Sequence, residues 1–303
     1  MWATSVDPRD KFSVAPGLLA RIARVESNMV PTLVQLAGSS CGSVSTRRSW
    51  WFQNLWRDAT GLIVGGQPAT KGEFPFIVAI KEGQDFKCGG VIISNRYVLT
   101  AAHCYSSTSK LEDFAVTVGE YDMSTTSEGT DQKTFGLQSV KNHESWVATK
   151  PENGYDISLF KLNGDITFGK YIQPICIPSS DSESTLRAST KTVYGWGYRS
   201  NSDSTPATIL QKLNVNLTSE SICKSSGKIN GPNGSMLCSV GDGVGGICSG
   251  DSGGPLATKD DKGFFYSFGI VSYNTQIDCG IEGYPDVYTR VSYFLNWIQA
   301  NAV

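Results

Sequence analysis

The run Gly250-Asp251-Ser252-Gly253-Gly254-Pro255 sets a serine among glycines in a G-x-S-x-G pattern. Glycines there let backbone N–H groups approach a reacting carbonyl, so the serine has the setting of a nucleophile on a tight turn. A serine hydroxyl needs a general base near its oxygen, and the chain has only two histidines, His103 and His143, both upstream of Ser252. The chain order Ser, acid, His of an α/β-hydrolase is thereby excluded, which leaves the order His, Asp, Ser. His103 lies in Leu99-Thr100-Ala101-Ala102-His103-Cys104, where a β-like run and a neighbouring cysteine can anchor its backbone, and it is read as the base. His143, in Asn142-His143-Glu144, has a polar neighbourhood that gives no reason for one tautomer; it is read as a surface or loop-packing residue. The acid is Asp156, which enters the apolar stretch Ile157-Ser158-Leu159-Phe160. Burying a carboxylate costs several kcal/mol unless it is hydrogen-bonded, and an imidazole N–H would receive its charge.

These groups must be held by the elements around them. From Ile63 onward, short β-rich runs at 76–81, 89–94, 97–101, 114–118, 157–161, 192–196, 209–217 and 264–273 alternate with Gly, Asn, Asp, Ser and Pro. That texture predicts an all-β sandwich or barrel. Only the end reads as helix, with Ser292 as N-cap and Phe294, Trp297 and Ile298 on one face. Residues 1–62 differ: apolar residues show no clean period, and Trp50, Trp51, Phe52 and Trp56 follow the dibasic pair Arg47-Arg48. This segment reads as a leader whose aromatic cluster packs on the main body.

Across 303 residues, 40% are hydrophobic and 18% charged, which excludes wholesale disorder and leaves room for two packed cores. Lys and Arg number 26 against 28 Asp and Glu, a net charge of −2 that gives no reason to expect nucleic acid or an acidic membrane surface as a partner. No run approaches the roughly 18–20 apolar residues of a membrane helix. The eight cysteines, Cys41, Cys88, Cys104, Cys176, Cys223, Cys238, Cys248 and Cys279, include no CxxC pair. They read as four disulfides rather than a zinc site, and so point to an oxidising compartment. The N-terminus lacks a signal-peptide pattern, since Arg21 and Arg24 interrupt the one candidate, Leu18-Leu19-Ala20. The expectation is a secreted, extracellular protein with an incomplete or unusual N-terminus.

Ile63-Val64-Gly65-Gly66, the His103 segment, Asp156-Ile157, Gly195-Trp196-Gly197, the Ser252 segment, Val271-Ser272-Tyr273 and Pro285-Asp286-Val287-Tyr288 occur in that order. On these motifs the chain from Ile63 to Val303 resembles a chymotrypsin-type serine protease, the S1 peptidase family. The resemblance implies two six-stranded antiparallel β-barrels with a C-terminal α-helix, preceded by the 1–62 leader of a zymogen. It assigns Ser252 as nucleophile, His103 as base and Asp156 as the group that orients the ring, with the backbone N–H groups of Gly250 and Ser252 as oxyanion hole. Eight cysteines allow about 105 pairings; the family suggests Cys88–Cys104, Cys223–Cys238, Cys248–Cys279 and Cys41–Cys176, the last keeping the leader attached after cleavage. It also implies cleavage at Leu62-Ile63, after which the Ile63 amine pairs with Asp251. Many relatives carry Arg or Lys before that bond, so leucine here calls for an activator, or the enzyme itself, that accepts leucine.

The resemblance lines the S1 pocket with Gly246 at the base, Asn274 on the rim and Asp286 on the back wall, with Ser272 and Tyr273 presenting backbone to the substrate. Trypsin-like relatives carry aspartate where Gly246 stands. Charge from Asp286 would admit basic as well as large apolar side chains; a neutralised Asp286 would leave an apolar pocket. Asn274 replaces a usual glycine and is expected to narrow the entrance against the bulkiest aromatics.

No cofactor or metal is expected. Glu120, Asp122, Glu128 and Asp131 lie in a loop that binds calcium in some relatives, and are read as solvated acids. Asn216-Leu217-Thr218 and Asn233-Gly234-Ser235 are glycosylation acceptors. The partners expected are protein or peptide substrates and protein inhibitors, with no nucleic acid and no membrane, acting on a monomer. The competing reading is a non-catalytic binding protein locked as a zymogen because Leu62-Ile63 is never cut; an intact triad argues against it.

Overall fold

Ile77-Val78-Ala79-Ile80 is a continuous apolar run, as expected of a strand covered on both faces, and all four residues are buried in β2 (Ile77–Glu82). In this computed structural model the described residues are 41–42, 65–129, 131–182, 186, 189–203, 205–241, 243, 245–276 and 278–303. Residues 1–40 and 43–64, which hold most of the expected leader with its aromatic cluster and the Leu62-Ile63 bond, lie outside them.

β2 joins β3 (Asp85–Ile92), β4 (Tyr97–Thr100), β5 (Phe114–Val118), β6 (Lys133–Asn142) and β7 (Ser158–Leu162) in a closed antiparallel barrel of order β2-β3-β4-β7-β6-β5. The second half is a seven-stranded antiparallel sheet. It comprises β1 (Gln67–Pro68), β8 (Lys191–Gly195), β9 (Gln211–Val215), β10 (Met236–Val240), β11 (Pro255–Lys259), β12 (Phe265–Asn274) and β13 (Pro285–Arg290), in the order β1-β9-β8-β11-β12-β13-β10.

The expected second six-stranded barrel is therefore corrected to a seven-stranded sheet that no ladder closes among the described residues. After β9 the backbone pairing with β10 among the described residues is limited to the isolated bridge Leu217↔Ser239 and the Thr218 N–H bond to Cys238 O, 2.9 Å. Ser219 then caps the helix Glu220–Ser225, its side chain accepting from Ile222 N–H, and a chain that turns into helix cannot extend a strand ladder. At the other edge β1 adds two residues, and Pro68 brings no N–H to lengthen the pairing.

Ser292 does not cap the terminal helix. Its hydroxyl donates to Asp181 Oδ1 at 2.7 Å from within a 3₁₀ turn, Val291–Phe294, and the helix Leu295–Asn301 follows. Phe294 and Ile298 are buried and Trp297 half-buried, so the expected apolar face is present on a later start.

The halves meet through aromatic rings. Phe74 and Phe76 lead into β2 and pack on Tyr194 of β8 and Phe265 of β12, with centroids 4.0 Å apart for Phe74–Tyr194 and 5.1 Å for Phe76–Phe265. The cysteines pair as Cys41–Cys176, Cys88–Cys104, Cys223–Cys238 and Cys248–Cys279. Beside the first of these, Gly42 N–H donates to Pro174 O and Gly42 O accepts from Phe265 N–H. Phe76 is fully buried. Phe76→Ala is expected to lower the unfolding free energy by about 3–5 kcal/mol in a denaturant titration; a loss under about 1 kcal/mol would show that the aromatic contact does not join the halves.

Candidate active site

His103 is delivered by β4 into a 3₁₀ turn, Ala102–Cys104, pinned to β3 by the Cys88–Cys104 disulfide. Asp156 enters ahead of β7 after two residues of positive φ, Gly154 at +79° and Tyr155 at +66°. The left-handed region is costly for tyrosine, so this bend is imposed by its surroundings. The Asp156 carboxylate, 1% exposed, receives three donors: His103 N–H to Oδ1 at 2.9 Å, His103 Nδ1 to Oδ2 at 2.7 Å and Ser272 Oγ to Oδ2 at 2.5 Å. A carboxylate next to Nδ1 fixes the tautomer that carries its proton there, leaving Nε2 as acceptor. Burial pushes the His103 pKa down, but the charge and hydrogen bond of Asp156 outweigh it and the net shift is upward.

Ser252, half-buried, lies in the turn before β11. That turn is pressed against the histidine's: Gly89 N–H donates to Ser252 O at 2.8 Å, and a Cβ on Gly253 would lie 2.1 Å from Thr100 Oγ1 and 3.1 Å from Cys104 Sγ. Only glycine fits there, at φ +75°. The structure thus joins His103 directly to Asp156 and brings Ser252 to them through adjoining turns; among the described residues no hydrogen bond links Ser252 Oγ to the imidazole. Gly250 has φ +95°, and neither its N–H nor that of Ser252 has an acceptor among the described residues.

Asp251 is buried, accepting from Gly197 N–H and Cys248 N–H, both at 2.9 Å. A Cβ on Gly195 or Gly197 would fall 2.2 or 2.5 Å from this carboxylate, so both positions must be glycine. Burial, with the charge of Asp286 adding, pushes Asp251 up to about 7, and no cation among the described residues pairs with it. Ile63, the partner implied by the sequence, lies outside the described residues.

Asn274, expected on the pocket rim, turns its amide inward. Nδ2 donates to Ile247 O at 2.8 Å and to Asp286 Oδ1 at 2.9 Å. Asp286 is 4% exposed, receives Ile247 N–H at 3.0 Å, and is pushed up to about 7 by burial. A Cβ on Gly246 would lie 2.9 Å from Asp286 Oδ2, which puts this carboxyl directly against Gly246. The Cys248–Cys279 disulfide ties the same wall to the Ser252 turn. Tyr273 hydroxyl donates to Lys228 O at 2.9 Å. Sequence reasoning missed the side chain of Ser272, to which it gave a backbone role only, and Thr289, whose Oγ1 donates to Asp156 O at 2.7 Å; a hydroxyl in a strand carries no signal of the partner it will meet.

Other candidates resolve locally. His143 packs its ring 4.9 Å from Tyr155 and 5.2 Å from Phe294 and Trp297, a loop-packing role. Cys88, His103 and Cys104 bring three metal-type atoms within 4.8 Å of one another, but both sulfurs are spent in the disulfide. Glu120 is not solvated as expected. It is buried, takes Gln132 Nε2 at 2.7 Å and Tyr121 N–H at 3.1 Å, and is pushed up to about 7 by burial and by Glu128. Glu128 receives the N–H groups of Tyr121 and Asp122, Asp122 Oδ1 receives Ser124, and Asp131 is exposed at φ +58°. Asn216 and Asn233 are exposed. Among the described residues no helix is long and apolar enough to cross a membrane.

A carboxylate-held histidine beside a serine turn, where two antiparallel β units meet, places the chain among the serine hydrolases. Comparison with known proteins narrows the class. The family model described as Trypsin matches residues 63–298. Trypsin-1 of Astacus astacus is 39% identical over 251 residues, 80% of this chain and 100% of the relative. The proclotting enzyme of Tachypleus tridentatus is 33% identical over 256 residues, 80% of this chain and 67% of the relative. Phenoloxidase-activating factor 3 of Holotrichia diomphalia is 35% identical over 263 residues, 79% and 72% of the two chains. The chain belongs to the trypsin family of chymotrypsin-type serine proteases and is a serine endopeptidase.

The raised carboxyls give a stability slope of defined sign. Asp251 and Asp286 hold protons in the fold up to about 7, whereas the unfolded value is about 3.9, so the folded chain binds more protons in that window and stability falls as pH rises through it. Asp286→Asn is expected to flatten the fall in Tm between about pH 4 and pH 7; an unchanged slope would contradict the burial of this carboxyl.

Proposed function

We propose that this endopeptidase is a secreted, extracellular zymogen that hydrolyses peptide bonds through an acyl-enzyme, with Ser252 as nucleophile, His103 as general base and Asp156 as the residue that orients and charge-stabilises the ring. The observation that carries the reading is the 2.7 Å contact between His103 Nδ1 and the buried Asp156 carboxylate. With Nδ1–H so engaged, Nε2 takes the Ser252 proton as Oγ attacks the substrate carbonyl, and the imidazolium gains the neighbouring negative charge. The oxyanion is received by the N–H groups of Gly250 and Ser252, a donor of this kind contributing about 3–4 kcal/mol to the transition state. The imidazolium then returns the proton to the leaving amine, the C–N bond breaks, and water deacylates the serine by the same route reversed.

Cleavage at Leu62-Ile63 activates the zymogen in this reading. The Ile63 ammonium pairs with Asp251, giving a buried and otherwise uncompensated carboxyl its counter-charge beside the oxyanion hole. Leucine before that bond calls for an activator, or the enzyme itself, that accepts leucine. The Cys41–Cys176 disulfide keeps the 1–62 segment attached afterwards. Secretion is supported by eight cysteines without a free thiol among them. Substrates are proteins or peptides and the competitors protein inhibitors; the enzyme acts as a monomer.

Specificity at P1 is broad, favouring large apolar side chains. Asp286 offers charge to a basic P1 residue, but Asn274 already occupies one carboxylate oxygen, so a guanidinium must displace the amide to reach it. Asn274→Gly is expected to raise kcat/KM for Arg substrates at least about tenfold relative to Leu substrates; an unchanged ratio would remove Asn274 and Asp286 from the account of specificity. A fluorophosphonate probe is expected to label the active form at Ser252, with the labelled chain beginning Ile-Val-Gly-Gly. Ser252→Ala is expected to abolish both labelling and turnover. Cleavage by Ser252→Ala at the original rate, or another N-terminus on the active chain, would overturn the proposal, and an unlabelled processed chain would favour the binding-only homologue.

A further inference from the structure

The dipeptide Asn142-His143 contributes no reacting group, yet it touches the surroundings of both His103 and Asp156. The β6–β7 register pairs Asn142 with Ser158, two residues beyond Asp156, and His143 N–H donates to Ile157 O at 3.0 Å. The backbone here is therefore registered to the strand that carries the acid. The His143 ring stacks 4.9 Å from Tyr155, whose φ of +66° aims Asp156 into the site.

The Asn142 side chain reaches the base. Nδ2 donates to Ala102 O and to Tyr105 O, each at 3.2 Å, and these carbonyls bracket His103 in the chain. Both partners are pure acceptors, so only the NH₂ end of the amide can meet them, which fixes its orientation. That orientation leaves Asn142 Oδ1 buried without a donor among the described residues. An unpaired buried carbonyl is unfavourable, and the arrangement holds only while both N–H bonds offset it. The clamped turn is a three-residue 3₁₀ segment with no side-chain cap of its own, a short element with little intrinsic stability.

We propose that Asn142 is a positioning residue for catalysis: it clamps the His103 turn to the Asp156 strand and presets the contact between base and acid before substrate binds. The proposal rests on the catalytic reading of His103 and Asp156. Asn142 acts through His103 and is part of neither the substrate pocket nor the proton path. Loosening the clamp lets the imidazole drift from Asp156, whose charge raises the His103 pKa while Lys87 of β3 lowers it. The clamp therefore affects turnover and its pH dependence, and leaves substrate affinity unchanged.

The test uses the processed full chain, with rates expressed per active site by end-point titration. Asn142→Ala is expected to lower kcat about 10- to 100-fold, the cost of a misplacement near 1 Å, with KM within about twofold. The acid limb of kcat/KM is expected to move down toward the ordinary imidazole value of about 6.5. Asn142→Gln, which keeps the donor on a longer stem, is expected to recover part of kcat, and in an Asp156→Asn background Asn142→Ala is expected to cost less than about threefold more. If Asn142→Ala does not yield folded enzyme, Asn142→Ser decides on the same readouts. A kcat within about twofold of the parent with the acid limb unmoved, or a full further loss in the Asp156→Asn background, overturns the clamp. His103→Ala in the same assay separates the two claims: if it stays active the catalytic reading itself falls, and if it is inactive while Asn142 variants match the parent only the clamp falls.

Discussion

A carboxylate that is 1% exposed must be met by donors, and at Asp156 they come from both halves of the molecule. The first barrel supplies the backbone N–H and ring N–H of His103; the second sheet supplies Ser272 of β12 to the carboxylate and Thr289 of β13 to the main-chain carbonyl. Satisfying one buried group thus fixes how the two sheets face each other. The aromatic contact of Phe74, Phe76, Tyr194 and Phe265 supplies the apolar area of the junction and Asp156 its direction. The same constraint explains why a tyrosine is held at positive φ one residue earlier.

A second group of constraints surrounds the serine. Backbones approach so closely there that Gly195, Gly197, Gly246 and Gly253 each face an atom that a Cβ would strike. Gly195 and Gly197 make room for the buried carboxyl of Asp251, and Gly246 for that of Asp286, both pushed up to about 7 by burial. Asp286 meets the amide of Asn274, whereas among the described residues Asp251 meets only backbone N–H groups. The ionised form of Asp251 is thus disfavoured where the carboxyl lies, next to the Ser252 turn.

Residue chemistry was legible in the sequence wherever a scarce type had one position that suited it. Two histidines, one serine among glycines and one aspartate entering an apolar strand left few combinations, and His103 and Asp156 do meet. Strands with continuous apolar runs, such as β2, β4 and β7, were visible for the same reason. β6 was not: of Lys133–Asn142 only Phe135 is buried, so its hydrogen bonding left no hydrophobic period. Pro285–Arg290 hid β13 behind a proline and an aspartate, residue types that strands disfavour. The open second sheet depends on where Ser219 starts a helix, a local event that strand spacing does not encode. Polar side chains with a choice of partners were least legible: the inward turn of Asn274 toward Asp286 and the contact of Glu120 with Gln132 depend on how each loop folds back on itself, which residue type alone does not encode.

Everything at this site follows from the Asp156 carboxylate holding the Nδ1 proton of His103, and NMR of the ¹⁵N-histidine-labelled protein reads this directly. The predicted result is a far-downfield Nδ1 proton and a His103 titration midpoint above the ordinary value of about 6.5, with both features lost in Asp156→Asn. A midpoint at or below the ordinary value without the downfield proton, in folded protein, would contradict it.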